Sequence, residues 1–303
     1  MKRMLSLPNM LFLVFLLLEY LPARRAVSSG QHLLWLLIAT AQLYYLGNLL
    51  LRKEFGRAQT IGDVTAIFYV VVVAWEASTT RFNLLDQMLY PTPQVVLTLI
   101  ASDFSELLKG LRSSLQLLVC GYLSALVTAV PLALVIGWRK RLYNVVNPVT
   151  KVLGPIPPIV YIPYAIAILP TFKLSSMFII FIGAFWPIFI NTLNGVFNVD
   201  KKLIDSAKVL NVSEGTMLFK IILPGTLPAI ISGSNIGLVL SFILLTAAEM
   251  IGATSGLGWY IKYFSDFADY PRVIVGIIFI GMVVTVITLG FDRIEKRLLR
   301  WRA

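Results

Sequence analysis

The stretch DKKLIDSAKVLNVSEGTMLFKIILPGTLPAIISG, Asp200 to Gly233, decides the fold, because it is a long polar segment between two apolar segments of membrane-spanning length. Asp200 is a favourable N-cap, so the sequence predicts a helix from Lys201 to Leu210. Four residues recur at helical spacing in this helix and predict one apolar face: Leu203, Ile204, Ala207 and Leu210.

A turn and a second short helix are expected to follow. Asn tolerates the left-handed conformation that ends a helix, so Asn211 is predicted to turn the chain before Ser213 caps the second helix. The apolar stripe of that helix consists of Met217, Leu218, Ile221 and Ile222. Pro224 and Pro228 then predict an interruption before the next apolar segment, because the residue before a proline disfavours the helical conformation.

The composition is that of an integral membrane protein. Hydrophobic residues make up 58% of the 303 residues, charged residues make up 14%, and the mean hydropathy is +0.82. A single cysteine excludes an intrachain disulfide, and a single histidine argues against a histidine-rich metal site. We therefore expect an all-α, polytopic helical bundle in the membrane with no metal site.

Apolar segments near the roughly 20 residues needed to cross a bilayer define the expected topology. Six core spans are predicted, over residues 61–77, 115–138, 152–169, 175–196, 227–250 and 273–290. Residues 5–21 and 33–51 predict an additional two-span hairpin. The expected domains are thus an N-terminal extension over 1–60 and a transmembrane domain over 61–303 that contains the polar loop 200–224.

The net charge of +11 fits this topology better than it fits nucleic-acid binding, for which we expect no role. If the loop 200–224 is cytoplasmic, most of the 26 basic residues lie on its side, as the positive-inside rule predicts. Both termini are then cytoplasmic.

Polar or proline residues inside the spans are candidates for the pathway or a gate. Pro157 lies in a proline-rich segment that should be buried or line a cavity, because prolines leave backbone carbonyls unpaired. Asn191 and Asn194 lie on one face near Trp186, and they predict either helix-to-helix contacts or an inner gate. Glu249 is either a functional carboxylate or a structural one that bonds the nearby glycine-rich turn or a basic residue of a neighbouring helix.

The absence of known catalytic motifs excludes several classes of enzyme. No Gly-x-x-x-x-Gly-Lys-Ser/Thr phosphate loop and no hydrolase motif occur, so we predict no catalytic residue and no ATPase site in this chain. A stand-alone secondary transporter remains the alternative. Such a transporter would need ionisable residues deep in several spans, and the sequence offers Glu76 and Glu249, neither with an evident basic partner.

The polar loop resembles the EAA loop of binding-protein-dependent ABC importer permeases in the spacing of Asp205-Ser206-Ala207, Asn211, Ile221 and Leu223-Pro224. The resemblance implies the type I importer fold and a loop that couples to a cytoplasmic ATPase. The implied coupling residues are Asp205, Ser206, Ala207, Leu210, Asn211, Ile221 and Pro224.

The same resemblance implies partners and location. We expect cytoplasmic ABC ATPase subunits that bind ATP and Mg, an extracytoplasmic solute-binding protein, a second permease copy forming a homodimer, and membrane lipid. The expected location is the bacterial cytoplasmic membrane. No cofactor is expected in this chain itself.

Two further segments are similar to the aliphatic sulfonate, taurine and nitrate branch of this family. They are Tyr90-Pro91-Thr92-Pro93 before an amphipathic helix, and Ala248-Glu249-Met250 followed by the segment from Ser255 to Ile261. This similarity implies a small organic or inorganic anion as the transported solute.

Overall fold

The computed structural model describes residues 6–26, 30–51 and 55–300, and throughout these ranges the regular elements are helical. The α-helices are α1 (Leu7–Tyr20), α2 (Gln31–Leu51), α3 (Phe55–Glu76), α4 (Pro93–Ser102), α5 (Phe104–Trp138), α6 (Lys140–Leu153), α7 (Ile162–Ile168), α8 (Phe172–Phe197), α9 (Lys201–Val209), α10 (Glu214–Met217), α11 (Leu223–Gly252), α12 (Leu257–Asp266) and α13 (Tyr270–Leu298). Two π-helical turns, Ala77–Arg81 and Leu218–Ile222, and a 3-10 turn, Pro158–Tyr161, complete the order.

The described residues contain five helical segments long and apolar enough to cross a membrane. These segments are Gln59–Arg81, Phe104–Trp138, Phe172–Phe197, Glu214–Gly252 and Tyr270–Leu298. A sixth span arises if α6 and the segment Pro158–Ile168, which meet at a bend of 77°, count as one broken crossing. The predicted all-α bundle with about six core spans is confirmed.

The chain divides into two compact units. The first comprises Met1–Glu106 and Tyr263–Phe279, and the second comprises Leu107–Lys262 and Ile280–Ala303. The predicted domain boundary after residue 60 falls within α3. The division into an extension and a transmembrane domain stays a prediction.

In the first unit, α1 and α2 form a hairpin that packs on α3. Phe15 of α1 lies in one buried cluster with Leu34 and Ile38 of α2 and Tyr69 of α3. Because α1 has only 14 residues, it is shorter than the roughly 20 needed to cross a bilayer. The two predicted helices of the extension are present as α1 and α2. Whether they cross the membrane stays a prediction.

A buried ion network joins the ends of α1 and α3. Arg81 Nη2 lies 2.5 Å from Glu19 Oε1, and Arg81 Nε lies 3.2 Å from Glu76 Oε1. The second carboxylate oxygen of Glu76 accepts hydrogen bonds from Thr80 Oγ1 and Gln94 Nε2, both at 2.9 Å. The expectation that Glu76 has no basic partner was wrong, because the π-helical turn after α3 brings Arg81 back over the carboxylate.

The second unit is built on the close approach of α8 and α11. A Cβ on Gly233 of α11 would come within 2.8 Å of the Pro187 carbonyl oxygen of α8, so only glycine lets the two backbones meet there. Small residues at helix interfaces are typical of membrane bundles, since dispersion contacts replace the hydrophobic effect in lipid. Alanines from α5, Ala125, Ala129 and Ala133, pack with Ala184 and Ile188 of α8 in the adjoining core.

Candidate functional site

The loop between α8 and α11 has the local structure that its sequence predicts. Asp200 caps α9, with Oδ1 accepting the backbone N–H of Lys202 at 2.9 Å. Ser213 caps α10, with its hydroxyl oxygen accepting the backbone N–H of Thr216 at 3.3 Å. Both caps satisfy backbone donors that a helix start leaves free.

Asn211 makes the turn between the two helices. Its φ is +51°, in the left-handed region, and its backbone N–H donates to the carbonyl of Lys208 at 2.9 Å. The next residue, Val212, donates its N–H to the carbonyl of Ala207 at 3.3 Å. These bonds close the end of α9, as was expected of a residue that tolerates this conformation.

The predicted break at the two prolines does not occur. The helical path continues from Glu214 to Gly252, with Pro224 in the first turn of α11 and Pro228 inside it. The π-helical turn Leu218–Ile222 directly precedes α11, whose second residue is Pro224. Its wider hydrogen-bond spacing accommodates a proline that cannot donate to the ladder, which is how the chain avoids a break.

One face of this loop is anchored in the second unit. Ala207, Met217 and Ile222 are buried in a cluster with Leu134 of α5 and with Val196 and Val199 near the end of α8. The loop therefore packs against α5 and the end of α8.

The opposite face of the loop leaves large apolar side chains uncovered. Val209 is 86% exposed and Leu210 is 76% exposed, at the tip between α9 and α10. Leu203 is also exposed, so the predicted single apolar face of α9 was wrong in part: Ala207 faces inward, whereas Leu203 and Leu210 do not. Large exposed apolar residues grouped on one surface are typical of protein contact sites.

The remaining predicted coupling residues surround this tip. Asp205, Ser206, Asn211 and Pro224 are exposed, and Ile221 is half-buried. Beside them, Arg139 at the end of α5 lies 3.8 Å from Glu214. These two residues line a groove of about 220 Å³ with Trp138, Leu218 and Phe219. Sequence reasoning did not single out Val209 or Phe219, because their exposure depends on how the loop docks.

Glu249 lies in a different place, held between three segments of the second unit. Its carboxylate accepts a hydrogen bond from Ser114 Oγ of α5 at 2.6 Å, and another from the backbone N–H of Gly258 at 2.7 Å. Ser114 Oγ in turn accepts the N–H of Leu257 at 2.9 Å. Glu249 is 1% exposed, so these bonds replace the water that the carboxylate loses.

The glycine-rich turn is shaped around this carboxylate. Gly256 has a φ of +131°, and a Cβ there would collide with the Glu249 carboxylate. A small cavity of about 20 Å³, large enough for one water, adjoins Glu249, Ser114 and Thr246. The predicted bond from Glu249 to the glycine-rich turn is present, and a role in the pathway stays a prediction. Sequence reasoning missed Ser114, since nothing in a serine 135 positions away identifies it as the partner.

The other pathway candidates do not join Glu249 in one site. Asn191 donates its side-chain N–H to the Pro187 carbonyl of its own helix at 2.8 Å and packs against Gly233. Gly233 and Glu249 are separated by about 24 Å of α11. Asn194 is exposed, and Trp186 packs edge-on to Phe185 and Phe189.

The proline-rich segment was predicted to be buried or to line a cavity. Pro157 is exposed in the single chain, as are Ile159 and Val160 after it, so a place on the lining of a cavity stays a prediction. Two turn bonds, from Ile156 to the Leu153 carbonyl at 3.3 Å and from Val160 to the Pro157 carbonyl at 3.2 Å, pair backbone groups at the bend.

The chain is similar to known membrane transport proteins. The family model described as "Binding-protein-dependent transport system inner membrane component" matches residues 129–300. The taurine transport system permease protein TauC of Escherichia coli is 28% identical over 246 residues, covering 79% of this chain and 89% of TauC. SsuC of Bacillus subtilis, named as a permease for aliphatic sulfonates, is 32% identical over 77% of this chain and 85% of its own length. The nitrate import permease protein NrtB of Leptolyngbya laminosa is 34% identical over 57% of this chain and 62% of its own length.

A solved structure shares the fold. The inward-facing MetNI methionine ABC transporter superposes with a TM-score of 0.56 and 18% identity, over 65% of this chain and 98% of that one. This likeness concerns the arrangement of the helices alone.

Proposed function

The chain belongs to the family of binding-protein-dependent transport system inner membrane components, and from that premise we propose that it forms the pathway of an ATP-driven importer for a small anion. It is a multi-pass membrane protein and a transport subunit. The anion belongs to the sulfonate or nitrate type, and the energy comes from a partner ATPase.

One observation carries the proposal: the 200–224 loop is anchored on one face and apolar on the other. Ala207 and Met217 fix the loop to the core, while Val209 and Leu210 are available to a partner. A rigid loop with an apolar tip suits a two-state mechanism, because closure of a docked ATPase then displaces the helices that carry the loop.

The partners follow from this mechanism. Cytoplasmic ATPase subunits bind ATP and Mg, so this chain needs neither a nucleotide site nor a cofactor of its own. A binding protein delivers the solute from the other side of the membrane. The loop is cytoplasmic, as are both termini, and the membrane is the bacterial cytoplasmic membrane.

A second copy of the chain completes the pathway. The bent segment around Pro157 supports this, because Ile159, Val160 and Tyr164 are large, apolar and exposed in the single chain. Proline-bent backbone at membrane depth is tolerated where it lines a cavity or meets another protein surface. In a homodimer these residues face the partner copy or the pathway between the copies.

The solute class rests on the named relatives. TauC, SsuC and NrtB carry the names of taurine, aliphatic sulfonates and nitrate, which share an oxyanion group. Glu249 is unsuited to bind such an anion directly, since like charges repel and its oxygens already accept two hydrogen bonds. We therefore assign Glu249 a structural role.

Reconstitution tests the proposal. The chain would be placed in proteoliposomes with its co-encoded ATPase and binding protein, and uptake of labelled taurine, an alkanesulfonate and nitrate would be measured. We expect uptake of at least one of these anions only with ATP and the binding protein present, and no loss when ionophores collapse the ion gradients. Uptake that needs a proton or sodium gradient and no ATPase would identify a secondary transporter instead.

A further inference from the structure

The loop formed by residues 82–90, here the 82–90 loop, exposes its large apolar side chains. It follows the π-helical turn at the end of α3, within the first unit. Leu84 is 74% exposed and Met88 is 59% exposed. Three more large apolar residues of the loop are exposed: Phe82, Leu89 and Tyr90. Exposure of such a surface to water is unfavourable by a free energy of about 25 cal/mol per Å² of apolar area.

Five backbone N–H groups of the same loop donate to acceptors within the protein. Phe82 and Leu84 donate to the carbonyls of Ala77 and Ser78 at 2.9 and 2.8 Å. The Asp86 side chain accepts the N–H groups of Met88 and Leu89, at 2.8 and 3.2 Å. Tyr90 donates to the Asp86 carbonyl at 3.0 Å.

Two carbonyl groups of the loop accept hydrogen bonds from a buried arginine. Arg25, only 7% exposed, donates to the carbonyls of Leu85 and Tyr90, both at 2.6 Å. It also donates twice to Asn83 Oδ1, at 3.0 and 2.8 Å. Asn83 itself has a φ of +49°, so its backbone takes a tight left-handed turn around the guanidinium.

This arrangement is the reverse of an ordinary water-exposed loop. Water satisfies backbone groups without help, and it disfavours apolar side chains on the outside. A lipid environment makes the opposite demands, since backbone groups must be paired within the protein and apolar side chains are favoured outside.

The neighbouring surface has the same character. The loop begins directly after the apolar segment Gln59–Arg81. Arg81 donates to the carbonyls of Glu19 and Leu21, which brings the end of α1 beside the loop. Leu13, Leu17 and Tyr20 form an exposed stripe along α1 toward that end.

We propose that the 82–90 loop is a lipid anchor, inserted into the headgroup and acyl boundary of the leaflet at the Arg81 end of α3. Tyr90 in this loop is of the residue type that is enriched at this boundary. The anchor fixes the depth of the first unit. The helix α1 contributes to it through its exposed stripe, and the segment after α1 contributes through Arg25. This gives the extension a role independent of the transported solute.

Depth measurements by spin labelling test the proposal. Because Cys120 is the one cysteine in the chain, a Cys120→Ser background accepts a nitroxide label at Leu84→Cys or Met88→Cys. The full chain would be reconstituted in phosphatidylcholine and phosphatidylglycerol vesicles. Collision of the label with oxygen, which partitions into lipid, would be compared with collision with an aqueous nickel chelate.

We expect both labels to collide more with oxygen than with nickel. The aqueous control is Val209→Cys, at the exposed tip of the 200–224 loop, and the lipid control is Val127→Cys, exposed on α5. Nickel collisions at Leu84 equal to those at Val209 would overturn the proposal. Loss of nickel collisions only on addition of the binding protein would also overturn it, because the loop would then be a protein contact surface.

A second variant tests the role of the buried arginine. Arg25→Gln in the labelled background removes the donors to Leu85 and Tyr90, so we expect nickel collisions at Leu84 to increase. Arg24→Gln is the matched control, since Arg24 is exposed in the same segment, and there we expect no change. Unchanged nickel collisions at Leu84 in Arg25→Gln would show that the hydrogen bonds from Arg25 to the loop carbonyls do not keep the loop in lipid.

Discussion

At the scale of single residues, Glu249 and Ser114 are joined by a hydrogen bond whose contribution to stability can be measured. The Ser114 hydroxyl donates to the carboxylate and accepts from Leu257, so the two side chains together fix the turn before α12. We expect Glu249→Gln and Ser114→Ala each to lower the free energy of unfolding by about 1–3 kcal/mol. The double variant should lose less than the sum, with a coupling of about 0.5–3 kcal/mol.

Chemical or thermal unfolding of the reconstituted protein would give this coupling energy. The matched control pairs Glu249→Gln with Ser241→Ala, because Ser241 is equally buried in α11 but bonds the Gly237 carbonyl of its own helix. Those two changes should be additive. Additive effects in the Glu249 and Ser114 pair would contradict a direct interaction between these two side chains.

The same residues show where sequence reasoning succeeded and where it stopped. The positive φ of Asn211 and the caps at Asp200 and Ser213 were predicted, since each depends on bonds within a few residues. The partner of Glu249 was not predicted. A bond between residues 135 positions apart is decided by helix packing, of which a single sequence contains no direct record.

At the scale of elements, the loop 200–224 joins a buried anchor to an exposed tip. The apolar residues of α9 have the spacing of a single helix face, but they do not all become buried. Ala207 packs against α5 and α8, whereas Leu210 is exposed. Pro224 was expected to break the helix, and the π-helical turn before it shows that local hydrogen-bond spacing can adjust instead.

The exposed tip leads to a prediction on coupling. We expect Leu210→Asp to weaken docking of the ATPase by about 2 kcal/mol, the size of an interface hot-spot residue, because it places an unpaired charge in an apolar contact. ATP-driven uptake should fall by about thirtyfold, while the fold is retained because Leu210 is 76% exposed. Uptake and co-purification of the ATPase from the same membranes would check this.

The matched control for the tip is Leu210→Met, which keeps an apolar side chain of similar size and should leave both readouts near their normal values. Full ATP-driven uptake in Leu210→Asp would remove the tip from the coupling surface. Ala207 is less suited to this test, because it is buried and a larger side chain there would disturb the loop itself.

At the scale of the whole molecule, each unit contains its own buried polar centre. Glu249 belongs to the second unit, and the network around Arg81 belongs to the first. The spans of the core were predicted from hydropathy, since length and composition are enough for them. The Arg81 network was not predicted, because the sequence alone did not place Glu19 of α1 beside the end of α3.

Replacing Arg81, the cation shared by Glu19 and Glu76, tests whether this network stabilises the first unit. We expect Arg81→Gln to lower the stability of this unit by about 3–5 kcal/mol, because the side chains of Glu19 and Glu76 would remain buried without their shared partner. Hydrogen exchange at residues 19–26 and 76–90 should increase, since Arg81 also binds the carbonyls of Glu19 and Leu21. Arg24→Gln, an exposed change in the same region, should alter stability by less than about 0.5 kcal/mol. Equal exchange in the two variants would mean that the network does not hold α1 to α3, and the hairpin would then depend on the apolar cluster around Phe15 and Tyr69 alone.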